Sequence, residues 1–268
     1  MRRLVAALRS LELIESRDGR LVNGPTADAY LRAGADGDVR ANYLAWLRNR
    51  DHLVEAILDD DFRLEAHDPA TWASYARGDL VRWPSKSAVI AATLAERGVT
   101  VRAGGRVLDV GCGSGVIGFT AIRDVPTSRV VSIDTSPVLD VARELAARMG
   151  VAERVDFVSG GVESIPPQSE FDLVLLVHVA QYLHDEALEL VLRRARGALR
   201  PDGRLMLVTI IDDPGTPGFS PNWTSAIEMF LAAPGISLRT PDELMRSIEG
   251  AGFGRVERHQ PWAMSAFR

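Results

Sequence analysis

One stretch limits what this chain can become more than any other: Arg106-Val107-Leu108-Asp109-Val110-Gly111-Cys112-Gly113-Ser114-Gly115. It reads as a buried strand that runs into a glycine-rich turn and then a helix, an arrangement that lets a ligand approach backbone amides closely. Asp134 closes the next apolar run, Val130-Val131-Ser132-Ile133-Asp134. That is the roughly 20-residue spacing at which an acid meets ribose hydroxyls in doubly wound nucleotide-binding folds. Gly113-Ser114-Gly115-Val116-Ile117-Gly118 also satisfies the G-x-G-x-x-G pattern, but in the wrong register. The strand ends at Val110, so the tight turn starts at Gly111. Asp109, just before that turn, would repel a pyrophosphate and suits a cationic ligand. Nicotinamide and flavin readings are set aside on this ground.

The pattern on either side agrees. From residue 85 onward helices and strands alternate: a helix over Ser87–Arg97, a strand over Gly105–Val110, a helix over Gly115–Arg123 and a strand over Arg129–Asp134. Then follow a helix over Val138–Met149, strands over Val155–Ser159 and Asp172–His178, a helix over Glu186–Leu199 and a strand over Leu205–Ile211. Such alternation predicts an α/β fold, with a doubly wound, mainly parallel sheet covered on both faces. Three prolines and two glycines make Asp212–Pro221 a loop at the end of a central strand. The first third is helical instead. Leu4, Leu8 and Leu11 recur at helical spacing, and Asp18-Gly19 predicts a hairpin turn between Leu13-Ile14-Glu15 and Leu21-Val22. Further helices are expected over Asp38–Asp59 and Asp68–Arg77.

Composition excludes several partners. The net charge of −5 and the lack of a basic run argue against a nucleic-acid backbone. Lys86 is the only lysine, and the single cysteine, Cys112, permits neither an internal disulfide nor a multi-cysteine metal site. No apolar run approaches the roughly 20 residues that span a bilayer. The start, Met-Arg-Arg-Leu-Val, does not read as a signal peptide, so a cytoplasmic setting without membrane contact is expected.

Asp109-Val110-Gly111-Cys112-Gly113-Ser114-Gly115 resembles the first motif of the class I S-adenosylmethionine-dependent methyltransferases. Asp134, Phe171-Asp172-Leu173-Val174-Leu175 and Leu199-Arg200-Pro201-Asp202-Gly203-Arg204-Leu205 fit the later motifs in order and spacing, so the resemblance covers about residues 100–258. It implies a Rossmann-like sheet and S-adenosylmethionine as cofactor. Asp109 and Gly111 would lie near the methionine end, Gly113 and Gly115 would line the loop, and Asp134 would grip the ribose. Many members carry Gly-Asp after the third strand of the domain. Here Ser159-Gly160-Gly161-Val162 puts Gly161 in the acidic position, so adenine contacts would fall to backbone groups around Gly160, Gly161, Val162 or Glu163.

The first 84 residues resemble, in shortened form, the winged-helix-like dimerisation region of small-molecule O- and C-methyltransferases. Leu11-Glu12-Leu13-Ile14-Glu15, Asp18-Gly19-Arg20-Leu21 and Thr26-Ala27-Asp28-Ala29-Tyr30-Leu31 match its last helix, wing and exit. This implies a homodimer through the N-terminal helices and a methyltransferase domain over residues 85–268. Plant-type relatives use a histidine base held by two glutamates. Counting back from Gly203, the base position falls on Gln181, and the two supporting positions on Thr209 and Leu238, so that mechanism is absent. His178 and His184 flank Gln181 and are candidate substitute bases, with a near-neutral pKa as the motive. The other reading makes His178 a polar cap at a strand end and His184 an exposed helix-entry residue. Tyr182, Asn222, Trp223, Glu228 and Met229 fall where relatives bind the acceptor. No metal is expected: Asp212-Asp213 lacks a third ligand. A methyltransferase of a small, specialised metabolite is the leading expectation. A non-methyl reaction on the same cofactor, or a non-catalytic partner subunit, are the alternatives.

Overall fold

The computed structural model describes residues 2–33, 35, 40, 58, 69–168, 170–212, 238–259 and 263–268. Seven strands form its main sheet: β3 (Arg106–Val110), β4 (Arg129–Asp134), β5 (Val155–Ser159), β6 (Phe171–Val177), β7 (Leu199–Val208), β8 (Arg255–His259) and β9 (Ala263–Phe267). Their order is β5-β4-β3-β6-β7-β9-β8. The first five pair in parallel, whereas β9 runs antiparallel to both β7 and β8. The chain moves outward from β3 to β4 and β5, then returns to lay β6 on the other side of β3. That reversal leaves a crevice beyond the carboxyl ends of β3 and β6, where ligands bind in such sheets.

Both faces of the sheet are buried, which explains the nearly unbroken apolar runs. Val107, Val130, Leu173, Leu175 and Met206 face one core, beneath α4 (Asp79–Glu96), α5 (Val116–Arg123) and α6 (Ser136–Arg148). Leu108, Val131, Val174, Leu176 and Leu205 face the other, beneath α7 (Asp185–Ala198) and α8 (Pro241–Gly250). Phe119 and Ile122 of α5 are fully buried. At roughly 1.5–3 kcal/mol for each such side chain, they hold α5 to the sheet more strongly than any single hydrogen bond could.

Before the sheet come α1 (Arg2–Ser10), the hairpin β1 (Ile14–Arg17) and β2 (Arg20–Asn23), α2 (Pro25–Tyr30) and α3 (Pro69–Arg77). Asp18 and Gly19 make the hairpin turn with φ of 51° and 75°, as expected for a two-residue loop. The helix expected over Asp38–Asp59 lies outside the described residues except at positions 40 and 58.

Three elements differ from expectation. Helix α4 starts at Asp79 rather than Ser87 and passes through Pro84, so it spans residues 84 and 85 without a break. Proline lacks the N–H that would bond the Leu80 carbonyl, and Arg148 of α6 donates to that oxygen instead, at 2.8 Å. Strand β7 begins at Leu199, opposite Phe171, then shifts register across Arg200–Gly203 before pairing Arg204 with Leu173. It leaves the sheet after Val208, so Thr209–Ile211 are not strand. The hairpin of β8 and β9 has no counterpart in the sequence reading.

Candidate active site

The glycine loop is fastened from below. The amides of Gly111 and Cys112 both donate to the Ile133 carbonyl at the end of β4, at 2.9 and 3.1 Å. Gly111, Gly113 and Gly115 all have left-handed backbones, with φ of 64°, 56° and 77°. A side chain on Gly111 would strike Val179, with its Cβ 2.4 Å from Cγ2. At Gly113 nothing lies within 4 Å of such a Cβ. Gly113 is therefore the open face of the loop, and Gly111 its packed face.

Asp134 stands beside that open face. Its carboxylate accepts from the Gly113 amide at 2.9 Å and from the Thr135 amide at 2.8 Å. Burial raises its pKa, and the two amide bonds offset that only in part. One bond to each oxygen leaves lone pairs for ribose hydroxyls, so the acid and the open glycine fit the adenosine half of S-adenosylmethionine.

Asp109 packs beneath the loop and the helix that follows it. It is 2% exposed, and its carboxylate accepts from the Gly118 amide at 3.2 Å, beneath the first turn of α5. A Cβ on Gly118 would come within 2.7 Å of that oxygen. Gly118, noted in the sequence only as part of a misregistered pattern, thus permits close helix–strand packing. Burial, with a further push from Asp134, raises the Asp109 pKa to about 7. Asp109 supports the loop from behind.

Gly161 is exposed, and its amide donates to Glu163 at 2.7 Å, which holds that carboxyl below its ordinary pKa. Val162 is half-buried and opens a short 3-10 turn whose carbonyls are held by Arg194. Gly161 and Val162 therefore form a compact rim beyond β5, one strand from Asp134.

On the other side of the crevice, β6 is followed by His178, whose φ is 55° and whose amide donates to the Val208 carbonyl at 2.7 Å. The side chain is open to solvent, yet enough protein crowds the ring for burial to lower its pKa, with Lys86 as second cause. Gln181 is buried, and its Oε1 accepts from the Thr209 hydroxyl at 2.8 Å. The positions read as base and first support thus meet in space as a neutral amide–hydroxyl pair. Leu238 is half-buried, and its neighbour Arg239 bonds the carbonyls of Ala180 and Leu183 and pairs with Asp185. Tyr182 meets Trp72 of α3 edge-on, ring centres 5.0 Å apart. His184 is exposed at the entry to α7, in the N-cap position but with no capping bond from its side chain. Asn222, Trp223, Glu228 and Met229 lie outside the described residues.

Two features are invisible to local pattern. Ser114 reaches back to Asp79 of α4, and Trp72 closes on Tyr182. The Asp172 of the later motif sits at the opposite end of the sheet, tied to Arg102, Arg200 and the Arg106 amide. In the cleft of about 550 Å³ beside it, Arg102 and Arg200 are already paired with Asp172. Among the described residues no cluster of three His, Cys, Asp or Glu could hold a metal, and no helix is long and apolar enough to cross a membrane.

Residues 107–203 match a family model described as a methyltransferase domain. The acetylserotonin O-methyltransferase of Mus musculus is 31% identical over 292 residues, covering 97% of this chain and 73% of that protein. A mitomycin biosynthesis 6-O-methyltransferase of Streptomyces lavendulae is 30% identical over 156 residues, covering 58% of this chain and 43% of its own. A crystal structure of human N-acetylserotonin methyltransferase with S-adenosylmethionine superposes with a TM-score of 0.74 at 18% identity, over 100% of this chain and 82% of that one. The mainly parallel seven-stranded sheet agrees with these likenesses, and the chain belongs to the class I S-adenosylmethionine-dependent methyltransferases of the small-molecule type.

Proposed function

We propose that this enzyme methylates oxygen or carbon on a small specialised metabolite, without a histidine at position 181, using His178 to receive the acceptor's proton. The carrying observation is the bond between Gln181 and Thr209, which fills the expected base and support positions with groups that do not titrate near neutral pH. The named relatives act at oxygen, which favours a hydroxyl acceptor.

The bound cofactor supplies an activated methyl on a positively charged sulfonium. The protein must then align a nucleophile and exclude water. In this reading Gly113 and Asp134 hold the adenosine half, with Gly161 and Val162 on the adenine side. The buried Asp109 places a titratable carboxyl behind the loop. Tyr182 and Trp72 present aromatic surface to the acceptor. His178, its pKa held below the ordinary histidine value, stays neutral near pH 7 and takes the hydroxyl proton as the oxygen accepts the methyl. The exposed Leu4, Leu11, Leu21 and Leu31 support a homodimer through the N-terminal region, residues 1–84.

Incubation with labelled cofactor and a panel of phenols, enols and active-methylene compounds tests the reading. One class of acceptor should gain the label. His178→Gln should lower kcat by about a hundredfold while cofactor affinity is kept. Wild-type kcat should rise with pH and level off below neutral, since the base must be unprotonated. Full turnover by His178→Gln would remove the base assignment.

A further inference from the structure

Asp79 is the residue that binds the N-terminal helices to the cofactor loop. It opens α4 and is 6% exposed, a costly place for a carboxylate unless it is partnered. Its Oδ2 accepts from Lys86 Nζ at 2.7 Å and from Ser114 Oγ at 2.6 Å, and Arg82 lies 3.5 Å from Oδ1. Ser114 sits between the left-handed Gly113 and Gly115 and is 3% exposed. Its oxygen also accepts from the Val116 amide at the start of α5, at 3.4 Å. The loop is thus gripped from two directions. Asp134 holds the Gly113 amide from the sheet side, and Asp79 holds Ser114, the next residue, from the helix side.

The seam between α4 and α5 has a second polar contact, which serves as an internal control. The hydroxyl of Thr120 donates to Ser87, itself wholly buried, at 3.0 Å. That pair joins the same two helices without touching the loop. If Asp79 merely joined helix to helix, losing either contact would have the same consequence.

We propose that Asp79 is a positioning residue for the cofactor, fixing the open face of the glycine loop through Ser114 while Lys86 balances its charge. The inference rests on cofactor binding alone and not on the acceptor or on His178. It makes the N-terminal helices part of the cofactor site, although none of their residues needs to touch the ligand.

The experiment is titration calorimetry of the full chain with S-adenosylmethionine. Ser114→Ala and Asp79→Asn should each weaken binding about tenfold, and the double variant should be no weaker than the worse single, since both break one contact. Ser114→Thr keeps the hydroxyl and should restore most of the affinity. Ser87→Ala should lower the melting temperature and leave affinity unchanged. Wild-type affinity in folded Ser114→Ala, or an equal loss in Ser87→Ala, would overturn the proposal. Should the wild type itself fail to bind, the cofactor assignment falls and this proposal with it.

Discussion

At the scale of single residues, Asp109 has the clearest physical signature. Its burial opposes ionisation, and one amide bond from Gly118 only partly compensates, so its pKa stands at about 7. The unfolded chain releases this proton near the ordinary carboxylate value. Between about pH 4 and 7 the folded chain therefore holds a proton that the unfolded chain has lost. Stability must fall as pH rises through that window and level off above it. Asp109→Asn should flatten the decline, measured as urea midpoints across the window; an unchanged slope would contradict the assignment. Gly111 and Gly113 were legible from local turn geometry, and Asp134 from its spacing to the loop. Asp79 and Ser114 were not legible, because their contact joins positions 35 residues apart and nothing in either neighbourhood signals the other. Gln181 and Thr209 were found only by counting against a family pattern.

Among the elements, strands bounded by charged or glycine residues were legible almost to the residue, as at Arg129–Asp134 and Val155–Ser159. Helix α4 was not. Pro84 is a local breaker, and the carbonyl it leaves open, that of Leu80, is filled by a tertiary bond from Arg148. Arg148→Ala should cost about 1–3 kcal/mol by leaving that carbonyl unpaired. Pro84→Ala supplies an N–H to the same oxygen, so the double variant should regain much of the loss in denaturant midpoints. Additive losses would show that Arg148 acts elsewhere. Strand β9, Ala-Met-Ser-Ala-Phe, carries weak periodicity, and becomes a strand because β7 and β8 flank it. Strand β7 was placed too late because Pro201-Asp202-Gly203 reads as a turn, yet here it is an excursion within the ladder.

At the scale of the whole molecule, five of the eight large apolar side chains exposed among the described residues lie near the chain's start. Leu4 and Leu11 are 57% and 62% exposed, and Leu21, Tyr30 and Leu31 follow. If these cover a second copy, Leu4→Glu with Leu11→Glu should shift the sedimenting species from dimer to monomer at micromolar protein, with cofactor binding retained. An unchanged distribution would exclude this face as the contact. The fold also carries a load at its centre. His178 holds a left-handed backbone where the sheet reverses direction, a conformation that costs a side-chain-bearing residue about 1–2 kcal/mol. Against a margin of roughly 5–15 kcal/mol for a folded domain, that is a sizeable share. Glycine would relieve it, and in the proposed reading the same exchange would erase the base. Heat tolerance and turnover then compete at a single codon, and a lineage driven only toward hardiness would give up its chemistry there first.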